Sequence, residues 1–377
     1  MKNFSFAETF APPTANLTNL ANSIIAHFGV KPFHKTIPEI DKLLKGRKKV
    51  AVFLFDGMGE YILCHHQQAG RLFLENEYLI IDSTNPATTV AATTSFLTAK
   101  SPIETGWLGW ALPVLGIEEP IEVFPGTSFL TGEKLGRGIM EREFPVTYID
   151  ELINNAGHKA KILYQYGVGG RTDGPADYLD APPMAKKYFE EGGEFLYVYF
   201  NTPDGLIHHN GVDAQIVDDR IALAAKTVET FARENPDVLT LCIADHGLLD
   251  VKYFDLKDYP EFKECLRAPM CLEARTTNFY VKKEKEQEFL DLMKSKFPQF
   301  RVISRDFAIS SHYFGEGETT EKIKNLLGDY IALAQDNTCF IDTSCISTQC
   351  CMAAHHAGPL KEEKRILVSA FNKTINE

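Results

Sequence analysis

No stretch of this chain approaches the ~18–20 consecutive apolar residues that a membrane-spanning helix requires. The opening segment, MKNFSFAETFAPPTANL, lacks the apolar core of a secretion signal, so the expected compartment is the cytosol. Basic residues are in the minority: 39 Lys+Arg stand against 51 Asp+Glu, a net charge of −12. That balance argues against a nucleic-acid duplex as partner, because phosphate-backbone binding needs a basic surface. A small phosphorylated ligand held through metals is not excluded. The 8 cysteines contain no C-x-x-C pair, which removes zinc-ribbon and thioredoxin-like sites. Reduced, inert thiols are expected, including the cluster Cys345, Cys350 and Cys351. The sequons at Asn3, Asn16 and Asn372 carry no meaning without secretion. Neither G-x-S-x-G nor H-E-x-x-H occurs, and there is no internal repeat or low-complexity tract.

Two glycine-rich segments fail on spacing. GTSFLTGEK (126–134) has five residues between its glycines, and Glu133 precedes Lys134, so it cannot wrap phosphate as a nucleotide loop does. YGVGGR (166–171) lacks G-x-G-x-x-G spacing and reads as a turn.

What is present is an ordinary globular composition, 44% hydrophobic and 24% charged, on a chain of 377 residues. That length suits two or three units, or one large α/β domain with an insertion. Leu17, Leu20, Ile24 and Phe28 recur at helical spacing before Gly29, predicting a helix over 15–28. A short helix is expected at 38–45, opened by Pro38. VAVFLF (50–55), YLIID (78–82), KILYQY (161–166), FLYVYF (195–200) and VLTLCIAD (238–245) are continuous apolar runs. Such runs suit parallel strands buried on both faces. Helical segments separate them, notably 214–233 with Ile216, Ile221, Leu223, Ala224, Val228 and Phe231. The alternation predicts an α/β fold with a mostly parallel sheet sandwiched by helices. From about 265 to 340 the texture changes: ARTTNFYVKK and RVIS read as strands, KEQEFLDLMKSKF and TEKIKNLL as helices. This is expected to be a small α+β cap insertion at 265–340, with 1–264 and 341–377 forming the core. The segment 105–150, rich in Gly, Pro and aromatics, is expected to wrap a ligand site.

Five segments place hard or borderline metal ligands at or beyond strand ends, where ligands collect in open α/β sheets. They are FLFDGMG with Asp56, NPATTVAATTSFLTAKSP (85–102), FNTPDGLIHHNG (200–211), IADHGLLD (243–250) and AAHHAGPL (353–360). Each alone has an ordinary explanation, since a strand-end carboxylate can be a helix cap and a paired histidine can sit on the surface. Asp204 and His208 are four apart, which puts both on one helical face. Together the segments supply Asp56, Asp204 and Asp245 and at least three His, enough for two metal sites. Carboxylate plus neutral imidazole suits zinc, with manganese and iron as alternatives.

The set resembles the alkaline phosphatase superfamily, and within it the type I phosphodiesterase/nucleotide pyrophosphatase branch. That branch reads D-G at the first strand, Thr opening a helix, P-D-x-x-x-H, D-H-G and a late H-x-G. Here these are Asp56-Gly57, Thr89, Pro203-Asp204 with His208, Asp245-His246-Gly247, and His356-Ala357-Gly358. The resemblance covers about 49–370, with every segment in the family's order. It implies an alkaline-phosphatase-like core and two divalent metals. One metal would be held by Asp204, His208 and His356, the other by Asp56, Asp245, His246 and the Thr89 oxygen. It also implies Thr89 as nucleophile and a phosphothreonine intermediate. Thr88 is the nearest competitor, while Thr93 and Thr94 fall inside the helix. The doublets 208/209 and 355/356 leave His209 and His355 as alternatives.

Two departures stand out. Ala92 occupies the position where nucleotide pyrophosphatases carry a phosphate-binding Asn, and no arginine lies beside Thr89 as in alkaline phosphatases proper. The expectation is a phosphodiesterase or nucleotide pyrophosphatase. A phosphomonoesterase, a phosphonoacetate-hydrolase-like enzyme and a non-catalytic metal-binding protein of the same fold are the rivals. Trp107, Trp110, Tyr164 and Tyr166 are candidates to stack on a base or aryl group, or to be packing aromatics.

Overall fold

The structure, a computed structural model, describes residues 15–114, 119–168, 171–345 and 351–374. Asn3 and Cys350 lie outside them, as does part of the 166–171 motif. The core is a six-stranded sheet with the order Glu77–Asp82, Arg365–Phe371, Leu239–Ile243, Val50–Phe55, Phe195–Phe200, Ala160–Tyr164. The strand Val50–Phe55 pairs parallel to both neighbours, and Ala160–Tyr164 pairs parallel to Phe195–Phe200. Arg365–Phe371 is antiparallel to both of its neighbours. Five strands therefore run one way and their carboxyl ends share one edge.

The apolar runs account for the centre of this sheet. Every residue of Val50–Phe55 and of Phe195–Phe200 is buried. At about 1.5–3 kcal/mol for each fully buried large apolar side chain, these two strands anchor the core. Two of the predicted strands behave differently. Glu77–Asp82 and Ala160–Tyr164 are the sheet's edges and are only half-buried, so burial on both faces does not hold for them. Between Glu77–Asp82 and the rest lies Arg365–Phe371, a strand that sequence periodicity did not separate from the chain's last residues.

Helices cover both faces. Leu17–His27 begins at Asn16, whose side chain accepts from the Asn19 amide while Asn19 returns the bond, and Gly29 follows in the left-handed region. It packs on Thr89–Thr98, a helix buried on every side. Asn22 ties the two by donating to the Ala99 carbonyl at 2.8 Å. Gln215–Glu234 buries Val217, Ile221, Ala224, Val228 and Phe231, while Ile216 faces solvent.

A second sheet is antiparallel and seven-stranded: Phe300–Ser304, Tyr330–Ala334, Thr276–Phe279, Cys271–Leu272, Ala111–Leu112, Ile121–Glu122, Thr127–Ser128. Its first four strands fall within 265–340, and the other three come from the segment 105–150. GTSFLTGEK runs through the last of these strands and the turn after it. The expected helices appear at Glu286–Lys296, which buries Phe289 and Met293, and at Glu321–Lys324. Among the described residues no helix is long and apolar enough to cross a membrane.

Candidate metal centre

Asp56 follows the strand Val50–Phe55, and Asp245 and His246 follow Leu239–Ile243. Asp204 opens the helix Asp204–Asn210 just beyond Phe195–Phe200. Thr89 opens its own helix after Glu77–Asp82, and His356 follows a short strand, Ala354–His355. The common strand direction brings these side chains to one edge of the core sheet. Gly57 is required there: its φ is +73°, and a Cβ would lie 2.9 Å from the Asp204 Cα. Gly247 is required as well, since a Cβ would come within 2.3 Å of the Glu362 carbonyl.

Two groups of donor atoms result. Asp204, His208 and His356 offer atoms within 4.8 Å of one another, and so do Asp56, Asp204 and His246. In the first group the His208 and His356 Nε2 atoms lie 3.4 and 3.9 Å from Asp204 Oδ1. In the second, His246 Nε2 lies 3.4 Å from Asp56 Oδ1 and 3.5 Å from Asp245 Oδ2. Thr89 Oγ1 is 3.1 Å from His246 Nε2 and 3.4 Å from Asp56 Oδ1. The first group matches one implied ligand set in full. The second shares Asp56 and His246 with the other set and adds Asp204, while Asp245 lies beside it, 3.5 Å from His246 Nε2. Asp204 therefore sits between the two groups.

The doublets separate by geometry. His208 is buried, and its Nδ1 donates to the Ala354 carbonyl at 2.8 Å, which leaves Nε2 facing Asp204. His209 is exposed. His355 spends its Nδ1 accepting the His356 amide at 3.0 Å, and it is His356 whose ring stacks on His246 at 3.9 Å. The threonines separate too. Thr88 turns away and donates to Glu273 Oε1 at 2.6 Å, whereas Thr89 faces Asp56 and His246. Thr93 bonds back to the Thr89 carbonyl, and Thr94 is buried within the helix.

Electrostatically the cluster is a crowd of buried carboxylates and imidazoles. Burial pushes Asp56 well above the usual carboxylate range, and Asp245 and Asp204 push it further. Burial raises Asp204 and Asp245 in the same direction. Burial also lowers His246 and holds His356 well below an ordinary histidine, with His246 and His208 adding to the effect. Asp204 Oδ1, Asp245 Oδ2 and His356 Nδ1 are buried without a hydrogen-bond partner. Carboxylates crowded together beside neutral imidazoles, with orphaned acceptors, form a donor set suited to divalent cations.

Several neighbours were not legible from motifs. The Tyr199 hydroxyl donates to Asp56 Oδ2, but in FLYVYF it reads as one more strand residue. Ser83 donates to the Asp245 carbonyl. Glu273 accepts from Thr88 and from the Trp110 amide at 2.8 Å, and burial raises it to about 7. Of the four aromatic candidates, Trp110 lines the cavity beside the cluster. Trp107 is buried and donates to the Phe144 carbonyl, Tyr164 carries Arg171 over its ring, and Tyr166 is exposed.

No family model matches the chain, and no curated protein matches it in sequence. Solved structures do. Murine ectonucleotide pyrophosphatase/phosphodiesterase 5 superposes with a TM-score of 0.63 at 14% identity, over 86% of this chain and 88% of its own. An inactive form of that protein in complex with AMP gives the same figures. Phosphonoacetate hydrolase from Sinorhizobium meliloti 1021, in complex with phosphonoformate, superposes at 0.66 with 12% identity, over 88% and 91%. The fold is therefore the α/β fold of these two structures, consistent with the alkaline-phosphatase-like core that the motifs led one to expect. The chain shares it with a phosphodiesterase and with a phosphonate hydrolase alike.

Proposed function

We propose that this protein is a metal-dependent phosphoric ester hydrolase, specifically a phosphodiesterase or nucleotide pyrophosphatase with a threonine nucleophile. One observation carries the proposal: Thr89 Oγ1 stands at a helix start, 3.1 Å from His246 Nε2 and 3.4 Å from Asp56 Oδ1. Asp204, His208 and His356 would hold one divalent ion, and Asp56, Asp245, His246 and Thr89 the other. Zinc fits this donor set best, with manganese and iron as alternatives. Bound there, two such ions would act as Lewis acids that lower the hydroxyl's pKa and offset the charge of an in-line displacement. The Thr89 hydroxyl gives its proton to solvent and Oγ1 attacks phosphorus, forming a phosphothreonine as the P–O bond to the leaving group breaks and the departing oxygen takes a proton from water. The first amides of the helix Thr89–Thr98 meet the phosphoryl oxygens. Water then attacks the phosphothreonine, the Thr89 O–P bond breaks, and Thr89 regains its proton.

The substrate would be a small phosphorylated molecule, nucleotides included. The insertion 265–340, which supplies four strands of the second sheet, would act as the cap that selects it. A cytosolic setting is supported by free cysteines at Cys64, Cys242, Cys265, Cys271, Cys339, Cys345 and Cys351. A phosphonoacetate-hydrolase-like reaction is the second reading, favoured by the likeness to that enzyme. A panel tests both: para-nitrophenyl phosphate, bis-para-nitrophenyl phosphate, a dinucleotide and phosphonoacetate, each with zinc and with manganese. Fastest turnover of a diester or dinucleotide supports the proposal, and turnover of phosphonoacetate alone selects the second reading.

A further inference from the structure

The cavity beside the cluster has a volume of about 230 Å³ and is lined at one end by Thr89, Asp204, His208 and His356. No lysine or arginine is among its described lining residues. Away from the cluster its wall is aromatic and apolar, with Trp110, Phe129, Tyr253 and Phe340. Two carboxylates, Glu122 and Glu273, are set into that wall. Trp110 joins them: its amide donates to Glu273 Oε1 at 2.8 Å, and its indole N–H donates to Glu122 Oε1 at 3.2 Å. Glu273 is 7% exposed, and both hydrogen bonds its carboxylate accepts fall on Oε1. Among the described residues its Oε2 has none.

An organic group bearing a carboxylate or a second phosphate would enter this end against Glu122 and Glu273 with no counter-charge, whereas a bound cation would favour the ionised form of Glu273, which burial otherwise disfavours. A cation would meet carboxylate oxygens and aromatic faces, the combination that binds ammonium groups. The cavity also falls below the ~300–1,000 Å³ of sites for drug-sized ligands, which favours a compact group. We propose that the organic group of the substrate is a compact organic cation of the alkylammonium class, seated against Trp110 and paired with Glu273 and Glu122. This rests on the phosphodiesterase reading and narrows its substrate class.

The test uses metal-loaded full-length protein and two esters of one shape. Para-nitrophenyl phosphorylcholine carries a quaternary nitrogen where para-nitrophenyl 3,3-dimethylbutyl phosphate carries carbon. The choline ester should have a kcat/KM about tenfold or more higher. Glu273→Gln and Trp110→Leu should each pull that ratio toward one. Equal rates, or a faster all-carbon ester, overturn the proposal while leaving the phosphodiesterase reading intact. Binding of phosphocholine and of 3,3-dimethylbutyl phosphate to the Thr89→Ala protein separates the two ideas. If neither ester is turned over but phosphocholine binds about tenfold tighter, the cation subsite stands and the reaction class falls. Equal binding without turnover overturns both.

Discussion

Arg275 and Glu363 form a two-pronged ion pair with neither side chain exposed: Nε meets Oε1 at 2.6 Å and Nη2 meets Oε2 at 2.9 Å. The pair links the second sheet to the loops of the metal centre. Arg275 precedes the strand Thr276–Phe279 and also donates to the Thr338 carbonyl at 2.7 Å. Glu363 accepts the Gly358 amide at 2.6 Å, and its carbonyl receives the Gly247 amide at 2.8 Å. Thr276 adds a hydrogen bond to the Ala357 carbonyl at 2.6 Å. The loops of His246 and His356 therefore depend on one buried pair.

Removing one partner of such a pair strands the other charge, at a cost of about 3–5 kcal/mol. Arg275→Met should lower unfolding stability by that amount and weaken zinc binding, because Glu363 loses its counter-charge beside Gly358. The double variant Arg275→Met with Glu363→Leu should recover part of the stability, since no buried charge remains uncompensated. Denaturant melts and zinc titrations of both variants measure this. A single variant as stable as wild type, with unchanged zinc affinity, would refute the link.

The same region shows where sequence reading stops. Val50–Phe55 and Phe195–Phe200 were legible because a strand buried on both faces must be apolar throughout. Asp56, Asp204 with His208, and Asp245-His246 were legible because metal ligands need particular residue types just past strand ends. The strand Arg365–Phe371 was not read from the sequence, and its direction could not have been, since an apolar run carries no orientation. Nor were the two-residue strands Ala111–Leu112, Ile121–Glu122 and Thr127–Ser128, which are too short for any period. Glu273 and Arg275 acquire meaning only through contacts with residues about 185 and 88 positions away.

Glu273 should leave a pH signature on stability. Burial raises its pKa from 4.5 to about 7. The folded state then holds a proton that the unfolded state releases, so stability falls as pH rises from about 4.5 through about 7. Glu273→Gln keeps the acceptor oxygen and removes the ionisation. Relative to wild type, the metal-free variant should be equally stable near the lower pH and more stable above the upper one. The gain should be on the order of 3 kcal/mol at most. Thermal melts of both proteins across that range check it; a difference that does not change with pH would contradict the burial argument.

Metal content offers a separate check. The orphaned Asp204 Oδ1, Asp245 Oδ2 and His356 Nδ1 predict close to two transition-metal ions per chain after reconstitution. His208→Ala and His246→Ala should each lose about one ion, because the two residues belong to different donor groups. Zinc should also raise the melting temperature, since it binds the folded state and offsets the crowded carboxylates. Elemental analysis measures occupancy, and a protein that stays metal-free in excess zinc would end the two-metal reading.

The adjacent threonines allow the sharpest test of mechanism. Thr88 Oγ1 is committed to Glu273 at 2.6 Å, while Thr89 Oγ1 faces Asp56 and His246. Thr89→Ala should therefore lower kcat by several orders of magnitude while leaving the fold and most metal binding in place, because six other ligands remain. Thr89→Ser should keep measurable turnover, since only a methyl group is lost. Thr88→Ala should be milder, because it removes a hydrogen bond behind the site and not the attacking oxygen. Rates on bis-para-nitrophenyl phosphate, together with trapping of phosphoprotein after a rapid acid quench, read out both residues. If Thr88→Ala abolishes turnover and Thr89→Ala does not, the nucleophile is one residue earlier and the observed side-chain directions must invert during reaction. If neither substitution matters and no phosphoprotein is trapped, water attacks phosphorus directly and the covalent route is wrong.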